Sequence, residues 1–197
     1  MIAYLNGTIS HKTPAFIYVE CGGVGYHVNI SLNTYGKLEN LDKVKILTYM
    51  NVREDDQSLY GFFDDDERSL FILLISVSGV GVNTARVILS YMSPDELRTA
   101  IMHDNAFALG KVKGIGPKTA QRIIIDLKDK VIRESGAEKV VLVASESNQI
   151  RNVAVTALVN LGFPKPAMDK QVKAVLDKNP EIESVEELIK LTLKQMN

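Results

Sequence analysis

The sequence predicts a multi-domain α+β protein with an N-terminal OB-fold β-barrel, a central tandem helix-hairpin-helix α domain and a C-terminal three-helix bundle. Residues 1–63 are rich in β-forming segments, a Gly-apolar-Gly motif occurs twice within residues 64–133, and residues 149–197 carry apolar residues at helical spacing. We therefore expect domain boundaries at these positions, with residues 134–148 as a linker.

The composition is that of a folded protein from a reducing compartment. Of its 197 residues, 46% are hydrophobic, which is enough for one large core or several small ones. No apolar run approaches the roughly 20 residues of a membrane span, and no signal peptide is visible, so we expect no membrane partner. Cys21 is the single cysteine, which excludes an intrachain disulfide and favours the cytoplasm.

Short β-rich segments predict the N-terminal barrel. They cover residues 2–9, 15–21, 26–30, 44–50 and 59–62. Gly22 and Gly23 predict a tight connection between two strands, and Gly25 predicts a β-bulge. Five short strands in about 60 residues are typical of a small barrel such as an OB-fold, and a β-sandwich fragment is the alternative.

The central domain contains a repeat. Residues 77–85 and 112–120 both read apolar-x-Gly-apolar-Gly-x-x-Thr-Ala, 35 residues apart, and both continue into an apolar helical pattern. This is the pattern of a helix-hairpin-helix, in which Val80 or Ile115 plugs the hairpin into the helix pair. The glycines permit positive φ and leave the backbone amides and the next helix N-terminus open to an anion such as a DNA phosphate.

The charge pattern agrees with a phosphate ligand at these hairpins. The net charge is −1, but residues 111–133 hold seven bases against two acids. Lys118 and Arg122 are four residues apart on a helix, so both can face one phosphate track. Such contacts read the backbone, so binding should be independent of base sequence and sensitive to salt. The candidate DNA-binding residues are Gly79, Val80, Gly81 and Thr84 in the first hairpin and Gly114, Ile115, Gly116, Lys118, Thr119 and Arg122 in the second.

Nucleotide and metal sites are not predicted. A Walker A loop requires glycine before its Lys-Ser/Thr pair, whereas Pro117 precedes Lys118 here. A Rossmann loop requires a third glycine, where this chain has threonine. His11, His27 and His103 are scattered and lack ligand spacing. We therefore expect no cofactor, no metal and no ATPase activity.

The whole chain resembles the RuvA family, the Holliday-junction-binding subunits of bacterial branch-migration complexes. The resemblance rests on residues 19–26, 52–55 and 59–62, both hairpins and the Leu-Gly-Phe of residues 161–163. It implies a non-enzymatic subunit that acts in recombination, DNA repair and the SOS response. Such a subunit forms tetramers, sometimes paired as octamers, and holds a four-way junction open and flat. Its implied partners are a RuvB-like hexameric ATPase and a RuvC-like resolvase.

The resemblance also gives roles to particular residues. Glu54 and Asp55 match the family's acidic pin, which repels phosphates at the centre of the junction. Val82-Asn83 stands where the family pattern has a Pro-Lys pair, so the neutral Asn83 replaces a cation and Arg86 is expected to compensate. The predicted linker is shorter and more apolar than expected, which puts free mobility of the last domain in doubt.

The C-terminal bundle carries more apolar residues than its own core should need, which predicts a partner-binding face. We assign this face to Leu158, Leu161, Phe163, Leu188 and Leu191, although a bundle core explains most of them equally well. Two other functions stay open for the whole chain. One is a helix-hairpin-helix glycosylase, but Asp126 and Asp129 lie within the predicted helix and no Gly-Pro segment with a catalytic aspartate follows the hairpin. The other is a scaffold that binds only protein, against which the basic residues at 111–133 argue.

Overall fold

The computed structural model describes residues 1–141, 146–179, 182 and 184–195, with the backbone alone for residues 134–141 and 146–149. The chain divides into two compact units, Met1–Arg133 and Glu134–Asn197. None of the helices within the described ranges is long and apolar enough to cross a membrane.

A closed five-stranded barrel forms the N-terminal part of the first unit, which confirms the OB-fold and excludes a sandwich fragment. The strands are β1 (Tyr4–Lys12), β2 (Phe16–Cys21), β3 (Val24–Ile30), β4 (Lys43–Val52) and β5 (Gln57–Phe62). Their order around the barrel is β1-β2-β3-β5-β4, and only the β3–β5 pair is parallel. Alternating side chains fill the interior, among them Leu5, Ile17, Val28 and Ile46.

The turn at the Gly-Gly pair is confirmed, and the bulge at Gly25 is wrong. Gly22 and Gly23 have φ values of +59° and +84°, as a tight hairpin between β2 and β3 requires. Gly25 pairs directly with Glu20, because this ladder runs without interruption up to the turn. The irregularity lies instead in β1, where the register shifts between Ile9 and His11.

A short helix that the sequence did not predict, α1 (Leu32–Lys37), connects β3 to β4. Ser31 caps its N-terminus by accepting a hydrogen bond from the Thr34 amide. The helix is too short to show apolar periodicity in the sequence, and Gly36 weakens its helix propensity further.

The rest of the first unit is helical. It contains α2 (Asp65–Ile75), α3 (Val82–Tyr91), α4 (Pro94–Met102), α5 (Ala106–Gly110) and the start of α6 (Pro117–Val141). The predicted capping box at Ser93 and Glu96 is present at the start of α4. Residues 134–141 of the predicted linker continue α6 as helix, and its residues 142–145 lie outside the described residues. The helical core includes Leu70, Phe71, Leu74, Ile88, Leu97, Ile101, Ile123 and Leu127.

The acidic run at residues 64–67 is tied into the fold. Its ion pairs are Asp64–Lys37, Asp65–Arg68 and Asp66–Arg98. Asp64 also caps α2 by accepting from the Glu67 amide at 2.9 Å. Partial burial tends to raise the pKa of Asp64, but the hydrogen bonds from Lys37 and from the Glu67 amide together lower it below its ordinary value.

The second unit is a small helical bundle, as predicted. Besides the end of α6, this unit contains α7 (Glu146–Asn160), α8 (Lys165–Lys178) and α9 (Val185–Gln195). Gly162 ends the α7 segment with a φ of +99°, in the left-handed conformation expected of a helix C-cap glycine. The core of this bundle includes Ala154, Leu158, Met168, Val172, Val175, Ile182 and Leu188.

Candidate nucleic-acid interface

The two hairpins have the same backbone geometry. Gly79 has a φ of +90° and Gly114 a φ of +92°. In the first hairpin the Val80 amide donates to the Val77 carbonyl at 3.0 Å, and in the second the Ile115 amide donates to the Val112 carbonyl at 3.1 Å. The repeat in the sequence is therefore a repeat in structure, and the positive φ explains glycine at the first position of each motif.

Val80 and Ile115 are buried residues that anchor the hairpins and do not contact DNA. Their side chains are only 5% and 6% exposed, within the helical core. Their amides are used inside the hairpins, so neither the side chain nor the N–H is available to a phosphate. This corrects the expectation that both residues bind DNA directly, and it confirms that they anchor the hairpins in the helix pairs.

Gly81 and Gly116 are not explained by the fold. Gly81 is the N-cap of α3 with a φ of −86°, which any residue can adopt, and no side chain caps the helix there. A Cβ added at Gly81 or Gly116 would meet no protein atom within 4 Å. The absence of a side chain therefore leaves an open approach to the first turn of the helix, where amides have no intrahelical acceptor. This is the geometry of an anion site.

Exposed polar side chains surround these two corners. Lys113 and Lys118 are exposed beside the second hairpin, and Thr84 and Thr119 are half-buried in the first turns of α3 and α6. Asn83 is exposed beside the first hairpin, and its side-chain oxygen accepts from the Tyr60 hydroxyl at 3.2 Å. The second hairpin is therefore the more positively charged of the two.

Arg122 joins the two hairpins. Its guanidinium Nη1 donates to the Ser78 carbonyl at 3.1 Å, across 44 positions of sequence. The side chain stays exposed, and the guanidinium has further donors that can reach a phosphate. The sequence predicted that Arg122 binds a phosphate, but it did not predict the hydrogen bond to Ser78, because the two residues are too far apart in sequence for a local pattern to show it.

Arg86 contacts the barrel from the first turns of α3. Its Nη1 donates to the Ala15 carbonyl at 3.0 Å and to the Asn29 side chain at 3.3 Å. Both acceptors belong to the barrel, so the guanidinium binds the helical domain to the barrel. The structure therefore gives Arg86 a packing role that the sequence did not predict, and its role at a phosphate stays a prediction.

The segment with Glu54 and Asp55 forms an exposed loop between β4 and β5. The Arg53 amide donates to the Asp56 carbonyl at 2.8 Å, which closes the loop. The nearest ion pair is Arg53 to Asp55, at 4.0 Å and largely exposed, so solvent screens it strongly. The loop tip is therefore a small, negatively charged projection from the barrel.

The predicted partner face of the bundle is corrected at two positions. Leu158 and Leu188 are 0% exposed, so they form the bundle core and present no atom to a partner. Phe163 and Leu191 are half-buried against that core. Leu161 is 64% exposed and is the member of the predicted set that lies fully on the surface.

Comparisons with known proteins agree with this architecture. Residues 1–61 match the RuvA N terminal domain, residues 71–129 a SAM-like helix-hairpin-helix tandem, and residues 151–197 the RuvA C-terminal domain. A protein of Parabacteroides distasonis is 48% identical over all of both chains, and one of Bacteroides thetaiotaomicron is 46% identical over the same extent. A third, from Cytophaga hutchinsonii, is 42% identical over 98% of this chain and 99% of its own.

The chain belongs to the RuvA family. The three relatives are each named Holliday junction branch migration complex subunit RuvA. The match to all three domain models, in the order barrel, tandem hairpins and bundle, confirms the resemblance stated from the sequence.

Proposed function

We propose that this RuvA-family chain binds four-way DNA junctions through their shape and charge. The observation that carries the proposal is the pair of hairpins with identical backbone geometry, each ending in a glycine that the fold does not need. These corners lie in the same compact unit as the exposed acidic loop at residues 53–56. The same compact unit therefore contains both the sites that bind phosphates and the loop that repels them.

The hairpins act on the sugar-phosphate backbone. Amides in the first turns of α3 and α6 donate to phosphate oxygens, and Lys118 adds a charge-assisted contact. Because these contacts do not reach base edges, affinity depends on salt and not on base sequence. The acidic loop disfavours phosphates beside it and so directs each strand into its own arm of the junction.

We further propose that the chain works as a subunit in the cytoplasm. It has no catalytic role of its own in this proposal, forms a tetramer that can pair into an octamer, and recruits a RuvB-like hexameric ATPase through its second unit. A RuvC-like resolvase is a further partner. The names of the curated relatives, each a branch-migration complex subunit, support this assignment.

Competition gel shifts test the proposed function. The wild-type chain is expected to hold a four-way junction in the presence of an excess of linear duplex of the same base composition. The preference should persist when the arm sequences are changed, because the contacts are to phosphates. Equal affinity for the junction and the duplex would refute the proposal.

Neutralising the acidic loop should reduce the preference for junctions. In the double variant Glu54→Gln, Asp55→Asn the side chains keep their size but no longer repel phosphates. We expect the ratio of junction to duplex affinity to fall about tenfold, mainly through tighter duplex binding, since like charges in contact cost several kcal/mol. Asp95→Asn is the matched control, because this carboxylate on α4 is 98% exposed and lies outside the loop. An unchanged ratio in the double variant would remove the role assigned to the loop.

The two hairpins should differ in their salt dependence. Lys118→Ala removes one phosphate contact, so the slope of log affinity against log salt should become shallower by about 1. Asn83→Lys places a cation at the first hairpin and should steepen the slope by about 1. Lys173→Ala, an exposed lysine of the second unit, is the control and should leave the slope as it is. Titrations at several salt concentrations measure all three, and identical slopes would contradict the assignment of Lys118.

A further inference from the structure

The α1 segment makes polar contacts with both helices of the first helix-hairpin-helix. Ser31 and Thr34 bind Glu67 of α2, and Asn33 binds the end of α3. We call Ser31, Asn33, Thr34 and Glu67 the α1 bracket. The bracket contacts the start of α2 and the end of α3, which are the helix ends farthest along the chain from the hairpin at residues 76–81.

Glu67 is the buried centre of the bracket, with 0% exposure. It accepts hydrogen bonds from the Ser31 hydroxyl and, at 2.7 Å, from the Thr34 hydroxyl. Each hydroxyl in turn accepts from a backbone amide, Ser31 from Thr34 at 3.0 Å and Thr34 from Phe63 at 3.2 Å. The two hydroxyl groups donate to Glu67 and accept from backbone amides, so they connect the buried carboxylate to the backbone of α1 and of the segment that follows β5.

Burial raises the pKa of Glu67 above its ordinary value, and the bonds from Ser31 and Thr34 oppose this rise. A buried carboxylate is costly unless its hydrogen bonds are made, so the N-terminal turn of α2 is held where the two hydroxyls place it.

Asn33 holds the end of α3 in a similar way. Its side-chain amide donates to the Leu89 carbonyl and, at 3.0 Å, to the Met92 carbonyl. The last carbonyls of a helix have no intrahelical donor, so Asn33 satisfies groups that would otherwise be unpaired. The Leu32 amide adds a bond to the Ser90 hydroxyl at 3.1 Å. The start of α2 and the end of α3 are therefore both tied to the same short helix.

The bracket also connects to the acidic loop. The Phe63 amide that binds Thr34 directly follows β5, and β5 begins at the loop of residues 53–56. A continuous path of strand, hydrogen bonds and helix thus runs from the acidic loop through Thr34 and Glu67 to α2, whose C-terminal end opens into the first hairpin.

We propose that the α1 bracket sets the distance between the acidic loop and the first hairpin, and that this fixed distance is what lets the chain prefer a junction to a linear duplex. The inference rests on the proposed function. The loop repels phosphates, so it spares only a ligand whose phosphates avoid the loop while they occupy the hairpins. Flexibility between the loop and the hairpin removes this selection. A linear duplex has no open centre to receive the loop, so only the junction benefits from the fixed spacing. Loosening the bracket should therefore lower the affinity for the junction more than the affinity for the duplex.

Full-length variants of the bracket test this inference. Thr34→Val keeps the side-chain shape but removes the hydroxyl that Glu67 and the Phe63 amide both use. Thr34→Ser restores that hydroxyl, and Asn33→Ala removes the contacts to α3. Dissociation constants for a four-way junction and for a linear duplex are measured at one salt concentration, together with thermal unfolding. We expect Thr34→Val and Asn33→Ala to weaken junction binding about tenfold and duplex binding by less than about twofold, with Thr34→Ser close to wild type.

The remaining outcomes overturn the inference. Equal losses for junction and duplex would mean that the bracket only stabilises the fold. An unchanged ratio in folded Thr34→Val and Asn33→Ala would mean that the spacing does not govern selectivity. If Thr34→Val does not fold, the affinities of Asn33→Ala decide the inference. This variant should fold, because Asn33 is only half-buried and Glu67 keeps both of its hydrogen-bond donors. A wild-type chain without any junction preference would refute the proposed function, and this inference with it.

Discussion

Replacing both Gly81 and Gly116 by alanine should weaken binding to any DNA about 100-fold while leaving the fold nearly as stable as before. Each new methyl group would stand in the open approach to a helix N-terminus and keep a phosphate out of hydrogen-bond range of the amides. Neither methyl group meets a protein atom within 4 Å. Alanine is a poorer N-cap residue than glycine, which destabilises the folded chain, but it also lowers the entropy of the unfolded chain, which stabilises the folded one. The two effects nearly offset each other, so the free energy of unfolding should change by less than about 1 kcal/mol per site.

The same substitution at other glycines supplies the controls. Gly110→Ala lies in α5, where an added Cβ also meets nothing, and it should leave DNA affinity unchanged. Gly79→Ala and Gly114→Ala should instead lower the melting temperature, because their φ values near +90° are strained for alanine. Fluorescence anisotropy with labelled duplex and a thermal melt separate the two classes. Wild-type DNA affinity in the Gly81, Gly116 double variant would refute the anion sites.

Removing helices α7–α9 should abolish stimulation of the proposed RuvB-like ATPase and spare DNA binding. A chain that ends at Val141 keeps the barrel, both hairpins and the whole of α6. It should bind the junction within about twofold of the full chain, because the second unit has its own core and supplies none of the assigned DNA ligands. ATP hydrolysis by the RuvB-like partner on junction DNA is the measurement, and stimulation at the full-chain level would refute the assignment of the second unit.

A point substitution narrows this prediction to one surface. Leu161→Asp places a charge on the exposed leucine that follows α7, at the position predicted for partner contact. We expect it to reduce stimulation at least tenfold, as loss of a buried apolar anchor does at interfaces. Thr156→Asp, also exposed but on another face of α7, is the matched control. Equal effects of the two substitutions would argue that the leucine has no special role.

Patterns that depend on neighbouring residues were predictable from the sequence. The five strands, the turn at Gly22-Gly23, the capping box at Ser93 and both hairpins follow from alternation, turn chemistry and spacing. These signals are local, because the backbone preferences of a few adjacent residues decide them.

Features that depend on distant partners were missed or misjudged. Arg86 was expected at a phosphate, yet its acceptors are Ala15 and Asn29, more than 50 positions away. Leu158 and Leu188 were assigned to a surface because helical periodicity identifies an apolar face but not what covers it. The α1 bracket was not predicted, since Thr34 and Glu67 are separated by 33 positions and neither belongs to a motif.

The ion pairs of the acidic run have a consequence for how the protein meets DNA from a distance. Lys37, Arg68 and Arg98 neutralise the aspartates at the start of α2, so that region is nearly dipolar rather than anionic. By contrast, the tip at residues 53–56 has three acids and one base, and residues 111–133 hold seven bases against two acids. At physiological ionic strength the field of an exposed charge is screened over about 8 Å, so each of these two segments acts only on DNA that is already close to it. We therefore expect these two segments, rather than the start of α2, to orient DNA as it approaches the protein.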